Sequence, residues 1–204
     1  HTRASLVDEE LLRIMNRAGC YELSFGVESG NERIRNEIIQ KKVTDKQIKD
    51  AVKFCYKNNI LPDFYLMLGF PKEGKKEIED TVNFSLKISP PPNTIGIHLT
   101  IPLPGAPIFH QAIAEKIIPP DVVDRFIAGE YGERFNECWP VYVNNKVSLE
   151  YLKEAQARGY RKFYWRPRYL LQRLLIDWKV PWRLKQDFQK GWELLKMQRA
   201  RYAE

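Results

Sequence analysis

Between Arg3 and Pro107 the chain alternates two hydrophobic periods, and that alternation restricts the fold more than any other feature. Leu11, Leu12, Met15 and Ala18 recur at helical spacing behind Asp8, and Gly19 follows as a stop. In Tyr21-Glu22-Leu23-Ser24-Phe25-Gly26-Val27-Glu28-Ser29-Gly30 the apolar residues Leu23, Phe25 and Val27 then alternate, as in a strand. A polar helix is expected over residues 32–39. Thr44-Asp45-Lys46-Gln47 reads as a capping box opening a helix to about residue 58, with Ile48, Ala51, Val52 and Cys55 on one face. Asn58 or Asn59 should end it in the left-handed conformation. A second strand is expected over 63–68 and a helix over 75–88, stopped by Pro90-Pro91-Pro92. A third strand over 94–101 alternates Ile95, Ile97, Leu99 and Ile101. Strands and helices in this order demand βαβ crossovers, hence a parallel sheet, open or barrel-like.

Past Pro107 the periodicity turns helical: short helices over 108–116 and 121–128, an irregular stretch over 129–145, then helices over 148–158, 168–178 and from Pro181 to about 199. With 204 residues there is room for one large domain, and the change of pattern places the boundary near residue 112, dividing 1–112 from an appendage over 113–204. The opening at His1-Thr2-Arg3, without Met, suggests a piece of a longer protein. Apolar runs fall short of a membrane span, so no transmembrane segment is expected. Cys20, Cys55 and Cys138 lack metal-site or disulfide spacing; they read as small hydrophobes, and the cytoplasm is the default compartment.

The net charge of +7 is concentrated in the tail, which holds thirteen Lys/Arg against four Asp/Glu from residue 158 onward. Such a tail is most simply a solvated helical face; contact with nucleic acid or an anionic surface is the weaker reading.

Chemistry is not evident in the histidines, His1, His98 and His110, which form no metal or catalytic spacing. There is also no Gly-x-Gly-x-x-Gly or phosphate loop. The strand ends carry the signal, because ligands of parallel α/β sheets sit at the carboxyl ends of strands. Glu28, an acceptor when ionised, suits the donor hydroxyls of a ribose. Lys41 or Lys42 would neutralise a ligand carboxylate, while Gly69 and Gly105 allow close backbone approach. Taken singly, each is equally a turn glycine or a surface lysine.

In order, however, Phe25-Gly26-Val27-Glu28-Ser29-Gly30-Asn31, Lys41, Gly69-Phe70-Pro71-Lys72-Glu73 and Pro102-Leu103-Pro104-Gly105-Ala106-Pro107 resemble the C-terminal half of the radical S-adenosylmethionine barrel. The nearest variety is the subgroup that usually carries an upstream cobalamin-binding domain. Thr2-Arg3 with Leu6 to Leu12, and Phe163-Tyr164-Trp165-Arg166-Pro167, are similar to further elements of that subgroup.

The resemblance implies an α/β fold: a partial (β/α) barrel of about three parallel strands with a mostly helical C-terminal appendage. It implies S-adenosylmethionine as cofactor. Glu28, Ser29 and Gly30 would lie against its ribose or amino-acid part, Lys41 near its carboxylate, and Gly69, Phe70 and Pro71 beside its adenine. Arg3, Pro104 and Gly105 would face the substrate. Lys42 stands where the family often has glycine. The family's three-cysteine loop for a [4Fe-4S] cluster has no counterpart here, so the cluster, and any cobalamin, would belong to a missing N-terminal half, and this chain alone would be inactive. In the parent protein the cofactor would yield a 5′-deoxyadenosyl radical that abstracts substrate hydrogen, with methylation through cobalamin as one outcome. Other readings are a catalytically silent binding module using the basic tail, or a barrel enzyme with an unrelated ligand at the same strand ends. A half barrel exposes strand edges, so the C-terminal helices or a second copy are expected to cover one.

Overall fold

The computed structural model describes residues 1–88, 94–130 and 141–177, with the side chains of 173, 174, 176 and 177 left aside. Its chain forms two units, His1–Phe163 and one that begins at Tyr164. In the first, helix α1 (Glu9–Arg17) precedes strand β1 (Glu22–Glu28), and a π-helical turn (Ile34–Ile38) leads to α2 (Asp45–Lys57). Strand β2 (Leu61–Leu68), α3 (Lys75–Ile88) and β3 (Ile95–Leu99) follow, then α4 (Pro107–Ala114), α5 (Val122–Ile127) and α6 (Leu149–Tyr164). The second unit contains α7 (Pro167–Asp177). The expected helix from Pro181, the proline run at 90–92 and Cys138 lie outside the described residues.

The three strands form one parallel sheet in the order β1-β2-β3. This is the expected α/β arrangement of about three parallel strands with helices, followed by further helices. Phe25, Val27, Phe64, Leu66, Leu68, Ile95 and Ile97 bury one face of it, and Leu12, Ile48, Ala51, Cys55, Ile78 and Val82 of the helices join them in the core. The opposite face carries Ser24, Gly26, Asp63, Tyr65, Met67, Gly96 and His98, all partly or well exposed. Strand alternation therefore separates a packed side from an open, lumen-like side.

Local chemistry explains the joints. Asp8 accepts from the Leu11 amide to start α1, and Gly19, at φ 96°, ends it. Thr44 and Gln47 complete the capping box of α2, and Asn59 takes the left-handed turn after it at φ 54°. Two expectations are corrected. The polar helix after Gly30 is wound as a π turn over five residues, which lets the Arg35 side chain enter the core. The helix from residue 149 runs on to Tyr164 rather than stopping near 158. Gly159 does not break it, because it is a packing glycine: a Cβ there would stand 2.6 Å from Ile97 Cδ1.

That close approach covers an edge. The Tyr160 hydroxyl accepts from the Ile97 amide at 2.9 Å and donates to the Ile97 carbonyl at 3.0 Å, while Gln156 Nε2 donates to the same carbonyl at 2.7 Å. Helix α6 thus occupies the backbone groups that a further strand would use. On the other side, Thr2 lies parallel to β1 in a single bridge: its amide donates to the Ser24 carbonyl at 2.9 Å, and its carbonyl accepts from Gly26.

Candidate cofactor and substrate site

The carboxyl end of β1 is irregular for a reason. Register with β2 is even from Glu22 to Gly26 and then slips, Gly26 facing Tyr65 and Glu28 facing Leu66, so Val27 forms a bulge. Ser29 N–H turns back to the Val27 carbonyl at 2.9 Å, with Glu28 at the centre of the turn and φ at 65°. A non-glycine residue with this φ is held against its preference by its surroundings, a kind of strain concentrated at ligand sites.

Glu28 meets Lys41, Nζ to Oε1 2.5 Å, and both side chains are largely shielded, at 22% and 14% exposure. Gly26 makes the room: a Cβ there would lie 2.5 Å from Glu28 Oε1 and 2.9 Å from Lys41 Nζ. Arg3 joins the group by donating to the Lys41 carbonyl. The structure therefore brings together three residues that the sequence singled out separately.

The Lys41 loop owes its position to Arg35, a fully buried arginine. Its Nε donates to the Val43 carbonyl at 2.7 Å, one terminal nitrogen to the Ser29 carbonyl at 2.7 Å, and the other to Asp45, while Phe84 lies 5.7 Å beneath the guanidinium. One cation thus ties the end of β1, the Lys41 loop and the start of α2. Lys42 occupies a left-handed position at φ 52°, the geometry in which glycine is at ease.

Ser29 and Gly30 are used differently. Ser29 is buried and shares a 3.1 Å hydrogen bond with Thr81 while accepting from the Asn31 amide. Gly30 donates to Thr81 at 3.0 Å, and a Cβ on it would strike Phe84, Thr81 and Asp80 of α3 at 2.5–2.9 Å. Both dock the β1 loop onto α3. The turn after β2 is likewise enclosed: Gly69 (φ 95°), Phe70 and Pro71 are buried, and the Gly69 position faces Leu152 and the Tyr142 carbonyl. Pro104 and Gly105 (φ 85°) form the turn before α4, open around Gly105.

Glu73 organises the β2 turn. Its Oε2 accepts from the Gly69 and Phe70 amides at 2.6 and 3.0 Å, and Asn144 Nδ2 donates to the Phe70 and Glu73 carbonyls at 3.0 and 2.8 Å. Its Oε1 is buried without a hydrogen-bond partner. Burial pushes this carboxyl up to about 7, outweighing the two amides that favour its anion. Sequence reading missed Arg35 and the role of Asn144, since long polar residues ordinarily read as surface.

The sequence of residues 1–85 matches the model of the radical SAM superfamily. Residues 1–85 are thus similar to the radical SAM superfamily. An uncharacterized methyltransferase of Pyrococcus horikoshii is 26% identical over 84% of this chain and 35% of its own length. The anaerobic magnesium-protoporphyrin IX monomethyl ester cyclase of Rubrivivax gelatinosus is 25% identical over 76% of this chain and 30% of that protein. A solved structure of the radical S-adenosylmethionine methyltransferase TsrM from Kitasatospora setae, with cobalamin and a [4Fe-4S] cluster, is 22% identical over 47% of this chain and 19% of TsrM, at a TM-score of 0.38. The chain spans about a third of the length of the first two relatives. Among the described residues, no helix is long and apolar enough to cross a membrane, and no group of His, Cys, Asp and Glu is gathered as a metal site.

Proposed function

We propose that this chain supplies the adenosylmethionine-facing half of a radical SAM enzyme. The observation that carries the reading is the Glu28–Lys41 pair, set over Gly26 at a strained strand end. A carboxylate and an ammonium in this place match the donor hydroxyls and the carboxylate of adenosylmethionine, and the absent Cβ of Gly26 leaves them free to share a ligand. Glu28 holds the ribose, Lys41 the amino-acid carboxylate, and Arg3 steadies the Lys41 backbone from the substrate side. Ser29 and Gly30 act behind them by fixing the loop to α3. The Gly69-Phe70-Pro71 turn forms the adenine flank from below, and the Pro104-Gly105 turn the substrate rim.

When bound at a [4Fe-4S] cluster, adenosylmethionine supplies a radical for hydrogen abstraction. The three cysteines of this chain are at positions 20, 55 and 138 and do not fit a cluster loop. The cluster therefore belongs to protein outside this chain, which alone orients the cofactor. The methyltransferase among the relatives favours methyl transfer as the outcome, with cobalamin held outside the chain, as in the subgroup its motifs resemble. Residues 1–112 would form the barrel half and 113–204 the appendage.

Calorimetric titration with S-adenosylhomocysteine tests the reading. Wild type binds at one site, and Glu28→Ala weakens binding at least about tenfold, the loss of one charge-assisted hydrogen bond. Equal affinities in the two proteins would refute it.

A further inference from the structure

The open face of the sheet carries a feature that the cofactor residues do not use. Tyr65 stands on the central strand and remains 37% exposed. Its cross-strand neighbours are both glycines, Gly26 on β1 and Gly96 on β3. On the β3 side a Cβ on Gly96 would meet the Tyr65 ring at 2.8 Å and His98 Nε2 at 2.9 Å, so the ring leans across that glycine. There it lies nearly parallel to the exposed His98 imidazole, centroids 5.9 Å apart and planes 18° apart. His1 meets the same tyrosine edge-on at 5.2 Å. On the β1 side Gly26 is also the glycine over which Glu28 and Lys41 pair. Tyr65 is therefore the cross-strand partner of the glycine over which the ion pair forms, with its ring leaning to the other side, over Gly96.

Aromatic rings covering a sheet glycine can be purely structural. Here two such rings are aligned with each other and left exposed. A ligand group suited to the place is flat, presents a π face to stack on Tyr65 and His98, and bears polar atoms on the side toward Glu28 and Lys41.

We propose that Tyr65 and His98 form a stacking platform that selects a substrate with a planar aromatic or heteroaromatic group. The proposal rests on the reading of the β1 end as the cofactor site, and it places the substrate's ring deeper along the sheet than the cofactor's charged end. Gly26 and Gly96 are its specificity-determining companions, because any side chain at either position would enter the space that the rings or the ion pair require.

The test uses the full 204-residue chain and two probes of similar size, 2-naphthol and its saturated counterpart decahydro-2-naphthol, titrated by ligand-observed NMR. The planar probe is expected to bind roughly tenfold tighter. Tyr65→Leu should erase the preference, Tyr65→Phe retain it, and His98→Leu reduce it; the exposed His98 keeps the test available should Tyr65→Leu fail to fold. Equal binding of the two probes, or a preference that survives both leucine substitutions, overturns the platform. Displacement of 2-naphthol by S-adenosylhomocysteine also overturns it, by giving the rings to the adenine. The cofactor reading is read out separately, by S-adenosylhomocysteine titration of wild type and Glu28→Ala, so the two readings fail in different titrations.

Discussion

Two glycines four residues apart are asked to do opposite things. At Gly26 an added methyl would collide only with the far ends of Glu28 and Lys41, which can swing away. At Gly30 it would collide with backbone and Cβ atoms of α3, which cannot. Gly26→Ala should therefore leave urea stability within about 0.5 kcal/mol of wild type yet weaken S-adenosylhomocysteine. Gly30→Ala should cost about 1–3 kcal/mol of stability through overpacking. Glu73 makes a second prediction at this scale. Its folded-state carboxyl titrates near 7 against an ordinary 4.5, so the folded protein holds a proton that the unfolded chain has lost. Stability from this group is complete below about pH 4.5 and falls as pH rises to about 7, by about 3 kcal/mol in all. Glu73→Gln, which keeps an acceptor for the two amides, should flatten that part of a pH-resolved denaturation profile.

At the scale of elements, the strands and the helices α1, α2 and α3 were legible because each has a period and a stop: alternation at Leu23, Phe25 and Val27, the Thr44–Gln47 box, Gly19 after α1, asparagine after α2 and the proline run in the sequence beyond α3. What was not legible depends on contacts between distant parts. Nothing local distinguishes Arg35 from a solvent-facing residue, yet it bonds three segments and is fully buried. Arg35→Met should lose about 3–5 kcal/mol in chemical denaturation, because Asp45 and two carbonyls lose their partner. The continuation of α6 past residue 158 was hidden for the same reason, since Gly159 packs against Ile97, 62 residues away. The edge of β3 can be tested through that contact. Gln156→Ala with Tyr160→Phe uncovers the Ile97 amide and carbonyl and should produce concentration-dependent association in sedimentation velocity, where wild type shows none through this edge.

For the whole molecule, the motifs were readable before the site was. The sequence places Glu28, Lys41 and Arg3 at separate strand and loop ends, and folding gathers them through a bulge and a buried guanidinium that no short motif encodes. It also turns Ser29 and Gly30 inward against α3, and the Gly69-Phe70-Pro71 turn inward beside Leu152. The central claim, that Glu28 and Lys41 take different parts of one adenosyl ligand, is tested most directly by pairing S-adenosylhomocysteine with methylthioadenosine, which lacks the amino-acid carboxylate. Calorimetry should show Lys41→Met weakening S-adenosylhomocysteine by at least about tenfold while methylthioadenosine is unaffected, and Glu28→Ala weakening both. Binding of both ligands that is indifferent to both substitutions would contradict the assignment.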